Sequence, residues 1–316
     1  MNALTVLKPG LLTTVQDAGR VGFQRYGMPV AGAMDPFAMA VANVLVGNPL
    51  GAAVLESTLV GPTLRAGSDM VLAVCGADVA PSVEGEPVGM WRSFRLPAGA
   101  TLACQAAATG ARAYLAVAGG FAVPMVMGSA STYLQGRLGG LEGRALRRGD
   151  VLPVGPAPEA AMPGRRLVPE AIPRYAETAR LRVVPGPEAG GLDPVAWREP
   201  YVVTPQADRM GYRLSGPAIG HALGELLSDA TPMGTIQVPP DGQPILLMAD
   251  RQPTGGYPRL GVVASVDWPA AAQLRPGSRV SFEPVTVDEA VRRYREQAAL
   301  LRTLLAGREA DGRTMS

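Results

Sequence analysis

The sequence predicts a mainly β protein built from two tandem barrel-like halves with a few helices, and three observations lead to this fold class. First, 39 glycines and 30 prolines are spread along 316 residues without periodicity, as in chains with many tight turns between short strands. Second, the pattern Leu-x-x-Gly, then two residues, then an apolar position recurs four times. Third, two stretches of the chain resemble each other, and this length is typical of about two domains.

Six apolar runs have the length of strands, and they lie at residues 70–74, 112–118, 181–184, 245–249, 261–266 and 279–282. The four Leu-x-x-Gly segments lie at residues 64–67, 96–99, 146–149 and 274–277. Each ends in a glycine that can adopt positive φ, which predicts a turn directly before a strand. Recurrent short strands of this kind favour antiparallel sheets that close into barrels.

Two segments have helix signals. The first begins with Asp35 as N-cap and Pro36 at the first helical position, and we expect it to stop at Gly47. The second opens with a capping box from Thr286 to Glu289. We expect this C-terminal helix to pack on the barrel and to fray from residue 307 onward. Its apolar face consists of Val291, Tyr294, Ala298 and Leu301.

A stretch rich in proline and alanine separates the two halves. We predict an N-terminal barrel half at residues 1–155, a linker at 156–180, and a C-terminal barrel half with the C-terminal helix at 181–316. The segments TVQDAGRVGFQRYG (14–27) and TPQADRMGYRLSG (204–216) share Thr, Gln, Asp, Arg, Gly, an aromatic residue and a final Gly when one residue is skipped. We interpret this as an internal repeat, with chance similarity in a glycine-rich chain as the alternative.

The composition argues against several classes of function. The formal net charge is +2 and no basic block occurs, so nucleic acid and anionic membranes are weak candidates as partners. Lys8 is the only lysine and lies in Leu-Lys-Pro-Gly, which leaves no P-loop and a poor site for biotin attachment. Cys75, Cys104 and His221 cannot form a metal site at their spacing, and we expect the two thiols to be buried and free.

We expect the protein to be cytoplasmic. The N-terminus has no long apolar segment followed by a cleavage site of small residues. The uncharged stretch at 113–136 is interrupted by glycines, a proline and hydroxyl residues, so a strand and a loop explain it better than a spanning helix.

The repeat predicts the first set of candidate site residues. One copy supplies Gln16, Asp17 and Arg20, and the other supplies Gln206, Asp208, Arg209 and Arg213. Arginine offers a planar fork of donors to a carboxylate or phosphate, and aspartate orients such an arginine or acts as a base. For either copy taken alone, an Asp–Arg pair that holds a turn is an equally good interpretation.

The segment QVPPDGQPILLMADRQPTGGYPRLG (237–261) predicts a second set. Its apolar run ends in Asp250, which would place a carboxylate at the rim of the barrel. Gly255 and Gly256 would let backbone N–H groups approach a ligand closely, and Gln252, Thr254 and Tyr257 add neutral donors and acceptors. The density of polar groups favours a site over a tight hairpin that satisfies its own backbone.

Four further polar residues receive weaker interpretations. His221 is interpreted as structural, and Ser129 and Ser131 have no histidine or lysine to activate them. Glu56 is an isolated acid among apolar residues, and we leave open whether it is functional or the partner of a buried arginine.

Seven blocks of the chain, spread over residues 10–283, carry a resemblance to a known family. They read GLLTTVQDAGR (10–20), GMPVAGAMDPFAMAVANVLVGN (27–48), ARAYLAVAGGF (111–121), GSASTYLQGRLGGLEGRAL (128–146), ADRMGYRLSGP (207–217), GTIQVPPDGQPI (234–245) and DRQPTGGYPRL (250–260). In this order they resemble the allophanate hydrolase subunit 2 family. Its members include the C subunit of bacterial 5-oxoprolinase, the antagonist protein KipA, and the second half of the carboxyltransferase region of urea carboxylase.

The resemblance implies two cyclophilin-like barrel halves and an obligate partner, the KipI-like B subunit of 5-oxoprolinase, with a separate A subunit completing that enzyme. 5-Oxoprolinase uses ATP to open 5-oxo-L-proline to L-glutamate, so ATP is the implied cofactor of the complex, with no metal or biotin site in this chain. The sequence departs from the family at Pro253, which replaces a threonine and removes one N–H from the loop.

On these motifs we predict two catalytic carboxylates, Asp208 and Asp250. The predicted substrate-binding set is Gln16, Asp17, Arg20, Gln206, Arg209, Tyr212, Arg213, Gln237, Gln252, Thr254, Gly255, Gly256 and Tyr257. The resemblance favours a component of 5-oxoprolinase. There are two alternatives. One is a carboxyltransferase component that acts on urea or a related amide, and the other is a non-enzymatic KipA-like protein that binds a kinase inhibitor.

Overall fold

The computed structural model describes residues 2–223 and 226–313. Within these residues the chain forms two compact units. The first, which we call the N-terminal unit, comprises residues 2–20, 35–175 and 299–313. The second, the barrel unit, comprises residues 21–34, 176–223 and 226–298.

The N-terminal unit contains two antiparallel sheets. Its strands are β1 (Ala3–Lys8), β2 (Leu12–Gln16), β3 (Val54–Thr58), β4 (Thr63–Ala66), β5 (Met70–Gly76), β6 (Ser82–Val83), β7 (Glu86–Pro87), β8 (Ser93–Leu96), β9 (Thr101–Ala103), β10 (Arg112–Val117) and β11 (Val151–Pro153). One sheet has the order β11-β1-β4-β9-β6-β7 and the other β2-β3-β10-β5-β8. Apolar residues from both sheets, among them Leu4, Leu72 and Leu115, form one core.

The barrel unit contains a closed barrel of seven strands in the order β12-β19-β16-β17-β14-β13-β20. The strands of this unit are β12 (Thr178–Pro185), β13 (Tyr201–Ala207), β14 (Gly211–Ser215), β15 (Asp229–Ala230), β16 (Thr235–Gln237), β17 (Ile245–Leu247), β18 (Thr254–Gly255), β19 (Arg259–Val263) and β20 (Arg279–Pro284). A parallel pairing of β12 with β20 closes the barrel, while β15 and β18 form a small separate sheet. The prediction of a mainly β chain is therefore confirmed.

The predicted strands and turns agree closely with the structure. Each of the six apolar runs overlaps a strand, although the run at 261–266 extends past the end of β19 into a 3-10 helix at Ser265–Asp267. Three of the four predicted turn glycines have positive φ, at 80° for Gly99, 91° for Gly149 and 91° for Gly277. Cys75 and Cys104 are free and buried as expected, and burial raises the pKa of Cys104 to about 12.

The helices are α1 (Pro36–Leu45), α2 (Trp268–Ala272) and α3 (Val287–Arg313). Further 3-10 helices lie at Gln24–Tyr26, Pro169–Ala171, Ala189–Gly191 and Pro194–Trp197. The prediction for α1 is confirmed, because the Asp35 carboxylate accepts a hydrogen bond of 2.9 Å from the N–H of Ala38. None of the helices in the described ranges has both the length and the apolar character needed to cross a lipid bilayer.

The C-terminal helix α3 begins as predicted, with the N–H of Glu289 donating to Thr286 Oγ1 at 3.2 Å. Of its predicted apolar face, Val291 is 38% exposed and Tyr294 is 54% exposed, so no surface covers these two residues, whereas Ala298 and Leu301 are half-buried. Surface charge pairs support the helix, including that between Arg292 and Glu296. The helix continues to Arg313, past the point where we expected it to fray.

The predicted boundary segment, 156–180, spans the junction between the two units. Residues up to Tyr175 belong to the N-terminal unit, and the barrel unit resumes at Ala176. Residues 21–34, which the sequence placed in the first half, group with the barrel unit.

Candidate functional site

A cavity of about 510 Å³ lies in the barrel unit. It brings together six of the residues that the sequence predicted for a site, from three separate segments of the chain: Gln206, Asp208, Arg213, Gln237, Gln252 and Tyr257. A volume of this size suits a small molecule. Aliphatic side chains of Ile245 and Leu247 add an apolar part to the lining.

The floor of the cavity is the outer face of three neighbouring barrel strands. In the register of β14, β17 and β16, Ile245 is paired with Arg213 on one side and with Gln237 on the other. The three side chains therefore form a row on one face of the sheet. The adjacent positions on these strands belong to the apolar core inside the barrel: Tyr212, Ile236 and Leu246.

Gln237 is only 1% exposed although it lines the cavity. Its amide nitrogen has no hydrogen-bond partner among the residues that the structure describes. A buried amide donor without a partner is costly, so this group marks a place where an acceptor is missing.

The structure shows why residue 255 is a glycine, which the sequence alone did not reveal. A β-carbon at this position would lie 2.5 Å from the Gln237 amide nitrogen, a distance too short for any real contact. The glycine therefore makes room for the Gln237 carboxamide, in addition to the access for a ligand that we expected from the sequence. Thr254 and Gly255 form β18, where they pair with Ala230 and Asp229, and Gly256 follows directly.

Asp208 is exposed and lies at the turn between β13 and β14. Its Oδ1 atom accepts hydrogen bonds from the N–H groups of Met210 at 2.7 Å and Gly211 at 3.2 Å. This arrangement fixes the carboxylate beside the cavity. The two hydrogen bonds both use Oδ1, and the exposed carboxylate lines the cavity, where a base or a ligand contact would be placed.

Arg209 and Asp250 form a buried ion pair instead of lining the cavity. Two guanidinium nitrogens of Arg209 donate to the two oxygens of Asp250, each at 3.0 Å. Arg209 Nη2 also donates to the carbonyl oxygen of Gly32 at 2.6 Å. The pair joins the turn after β13 to the end of β17, and so holds in place the turn that carries Asp208.

Tyr212 also lies outside the cavity. Its ring is in the barrel core, and its hydroxyl donates to the carbonyl oxygen of Ala272 at 3.4 Å.

The first copy of the repeat is buried in the N-terminal unit. The Asp17 carboxylate accepts hydrogen bonds from the hydroxyls of Ser129 at 2.6 Å and Ser131 at 2.5 Å, and from the N–H of Ala130 at 2.6 Å. Arg20 donates to the carbonyl oxygen of Ser131 at 2.5 Å. The two serines, which the sequence left without a role, are thus partners of a buried carboxylate.

Gln16 and Glu56 are likewise buried in the N-terminal unit. Gln16 Nε2 donates to Thr14 Oγ1 at 3.0 Å and to the carbonyl oxygen of Thr132 at 3.1 Å. Glu56 accepts a hydrogen bond of 2.8 Å from the hydroxyl of Tyr114. Desolvation and the neighbouring Glu56 and Asp35 carboxylates raise the pKa of that tyrosine.

Sequence reasoning missed the apolar part of the cavity. The run at 245–249 is buried except for the half-buried Ile245, but Ile245 and Leu247 line the cavity whereas Leu246 lies in the barrel core. The period of two along a strand would have separated them, because Arg213 and Gln237 occupy the matching positions on the neighbouring strands.

Comparison with known proteins decides the family. The model of the carboxyltransferase domain, subdomain A and B, matches residues 26–284. The chain belongs to this family. The resemblance inferred from the sequence motifs is thereby confirmed at the family level.

Two curated family members are similar along nearly their whole length. The C subunit of 5-oxoprolinase from Escherichia coli is 40% identical over 301 residues, which cover 93% of this chain and 95% of that protein. The corresponding 5-oxoprolinase component of Haemophilus influenzae is 36% identical over 303 residues, 91% of this chain and 93% of that protein.

A solved structure in the family shows the same fold. The urea amidolyase of K. lactis superposes with a TM-score of 0.91 at 28% identity. The match covers 96% of this chain but only 20% of the urea amidolyase, in which it is one part of a much longer polypeptide.

Proposed function

We propose that this chain is the C subunit of an ATP-dependent 5-oxoprolinase, which opens 5-oxo-L-proline to L-glutamate together with a KipI-like B subunit and an A subunit in the cytoplasm. The observation that carries the proposal is the 40% identity to the C subunit of a 5-oxoprolinase along 93% of this chain and 95% of that protein. Because 95% of the relative is matched, the unmatched remainder is too short to be a further domain of that protein.

The lining of the cavity supports this proposal on chemical grounds. 5-Oxoproline combines a carboxylate, an apolar ring and a neutral amide. Arg213 supplies a cation for the carboxylate, Ile245 and Leu247 supply apolar surface for the ring, and Gln237 supplies an amide for the lactam. Arg213 has no ion-pair partner within the described residues, so its charge is available to a ligand.

The five-membered lactam is an unstrained amide, and water at neutral pH opens it slowly. ATP phosphorylates the lactam oxygen and leaves as ADP, water adds to the activated ring carbon, and the ring C–N bond breaks as the nitrogen takes up a proton. A second water then displaces phosphate from the resulting glutamyl phosphate to give glutamate. In this scheme Asp208 is the base that takes a proton from water, and its fixed turn geometry serves that role. The Arg209–Asp250 pair positions Asp208, and so Asp250 acts on the reaction through Arg209.

A second candidate is a carboxyltransferase that moves carboxylate from carboxybiotin to urea or a related amide. The TM-score of 0.91 to a urea amidolyase favours it. Urea has no carboxylate, so Arg213 would have no anionic group of that substrate to bind. This activity also requires a biotin carrier on another polypeptide, because Lys8 is the only lysine of this chain.

The test is 5-oxoproline-dependent ADP release from this chain mixed with its candidate B and A partners, with each component omitted in turn. We expect ADP release only when all three are present. If the chain binds the B partner but 5-oxoproline elicits no ADP, the hydrolase proposal fails. Urea-dependent consumption of carboxybiotin would then establish the carboxyltransferase.

A further inference from the structure

The Gln237 carboxamide is a polar group prepared for a ligand. Gln237 is only 1% exposed and lines the cavity. Its amide nitrogen has no hydrogen-bond partner in the described part of the chain. Since no hydrogen bond from a described residue holds the nitrogen in place, rotation about the last side-chain bond can turn an N–H toward the cavity. What the group lacks is an acceptor.

We infer that the Gln237 amide donates a hydrogen bond to the carbonyl oxygen of a cyclic amide and thereby determines which ligands the cavity accepts. The inference deepens the proposed function and rests on it for the choice of 5-oxoproline as ligand. Gln237 is a specificity-determining residue in this arrangement, because it touches the lactam oxygen, which 5-oxoproline has and proline lacks.

The register of the barrel strands sets how such a ligand lies. Arg213 and Gln237 each pair with Ile245 from opposite sides, so their backbones are two strand spacings apart, or about 10 Å. Both side chains lie on the same face of the sheet as Ile245, and the Gln237 carboxamide lies beside Gly255. A small ring with a carboxylate at one end and a carbonyl at the other fits this row, with the carboxylate at Arg213, the methylene groups over Ile245 and the carbonyl at Gln237.

Gly255 makes room for the Gln237 carboxamide and so belongs to the same site. A β-carbon there would lie 2.5 Å from the Gln237 nitrogen and 3.3 Å from its amide carbon, so any larger residue displaces the carboxamide. The requirement for glycine at this position therefore follows from the position of Gln237. Substitution at either residue should produce the same loss of selectivity.

The first experiment compares two ligands on two proteins. Isothermal titration calorimetry measures the dissociation constants of 5-oxoproline and proline for the wild-type chain and for Gln237→Met, with the B partner present throughout. We expect the wild type to prefer 5-oxoproline by at least about tenfold, the worth of one hydrogen bond that satisfies a buried donor. In Gln237→Met we expect this preference to fall by about tenfold, because the hydrogen bond to the lactam oxygen is lost. Gln105→Met, an exposed position in the N-terminal unit, is the matched control and should keep it.

A purely structural role for Gln237 gives a different result, because it would weaken both ligands equally and leave their ratio unchanged. That result overturns the inference, as does wild-type protein that binds neither ligand. Gly255→Ala provides an independent variant and should also lose the preference. Gly190→Ala, where a β-carbon would have nothing within 4 Å, is its control.

The inference and the proposed function can fail separately. ADP release is measured in parallel with all three components. If 5-oxoproline drives ADP release and Gln237→Met keeps both turnover and selectivity, the inference fails while the function stands. If ADP release is absent but the wild-type cavity prefers 2-pyrrolidone over pyrrolidine and Gln237→Met does not, the function fails while the inference stands.

Discussion

The two copies of the repeated motif use the same residue types in opposite ways. In the N-terminal unit, the Asp17 carboxylate is buried and surrounded by donors from residues 129–131 of its own chain. In the barrel unit, Asp208 is exposed at a turn, where two backbone N–H groups occupy one of its oxygens and a cavity lies beside it. One copy is closed by internal hydrogen bonds, and the other remains open to a ligand.

This difference teaches that a motif identifies residue types and not their use. Gln16 and Gln206 show the same contrast, because Gln16 is buried with its nitrogen bonded to Thr14 and Thr132, whereas Gln206 lines the cavity. What decides the use is whether other parts of the chain supply partners. We therefore expect substitutions in the closed copy to affect stability and those in the open copy to affect activity.

The largest effect on stability is expected for Asp250→Ala. The substitution leaves the Arg209 guanidinium buried without its carboxylate, so the free energy of unfolding should fall by about 3–5 kcal/mol. Urea denaturation followed by circular dichroism measures this change. Asp229→Ala is the control, because Asp229 contacts Arg259 at the exposed surface and its loss should leave the unfolding midpoint nearly unchanged.

The same site separates positioning from direct catalysis. Asp250→Asn keeps a hydrogen-bonding side chain beside Arg209, and we expect reduced turnover in the reconstituted enzyme. Full turnover of this variant would remove Asp250 from the catalytic proposal.

For the closed copy, Asp17→Ala should lower the free energy of unfolding by about 3 kcal/mol, because several buried donors lose a charged acceptor. Ligand selectivity of the fraction that remains folded should not change. Ser129→Ala removes only one of these donors and should cost less, as measured by the same urea titration. A loss of ligand selectivity in Asp17→Ala without destabilisation would contradict the assignment of this copy to structure.

For the open copy, Asp208→Asn should slow the turnover of ADP release driven by 5-oxoproline by about 100-fold, since the amide cannot accept a proton from water. The amide keeps an oxygen for the turn, so the free energy of unfolding should change by less than about 1 kcal/mol. Asp241→Asn is a close control, because Asp241 accepts a similar hydrogen bond from Gln243 at 3.0 Å outside the cavity. Equal turnover of the two variants would exclude Asp208 as the base.

The smallest effect concerns acid stability, which tests charge pairs outside both copies. Hydrogen bonds from Arg259 hold the pKa of Glu188 below its ordinary value of 4.5, and those from Arg144 likewise lower the pKa of Asp150. Because folding lowers these pKa values, the stabilisation is complete above the unfolded-state values and is lost as the pH falls through the folded-state ones. Thermal unfolding between pH 5 and 3, about the range that these ordinary values define, should show a decline in stability. Glu188→Gln should reduce the slope of this decline.

Local features could be predicted from the sequence because their causes are local. The Asp35 cap, the capping box at Thr286 and the turn glycines depend on neighbours within a few residues, and the structure contains them. The exposure of part of the apolar face of α3 could not be predicted, because it depends on tertiary structure. Val291 and Tyr294 form an apolar stripe on a helix that is otherwise highly charged, and nothing in its own sequence states whether a surface covers that stripe.

The site was partly predictable for the same reason. Polar residues of the cavity were found because they cluster in two short segments, but the closed state of Asp17 depends on serines more than a hundred positions away. The need for glycine at position 255 could not be predicted either, since it arises from the close approach of Gln237 on another strand. A single sequence gives no signal for contacts between residues that lie so far apart along the chain.

The parallel pairing that closes the barrel has a consequence for how the protein is made. β12 is the first barrel strand to be synthesised. Its partner β20 follows about a hundred residues later, with Thr178 paired to Arg279. During translation the edges of the sheet remain open until β20 has left the ribosome, and a non-local closure of this kind is slow. The barrel unit therefore has open sheet edges while about a hundred residues are synthesised, and chaperones would protect it in that interval.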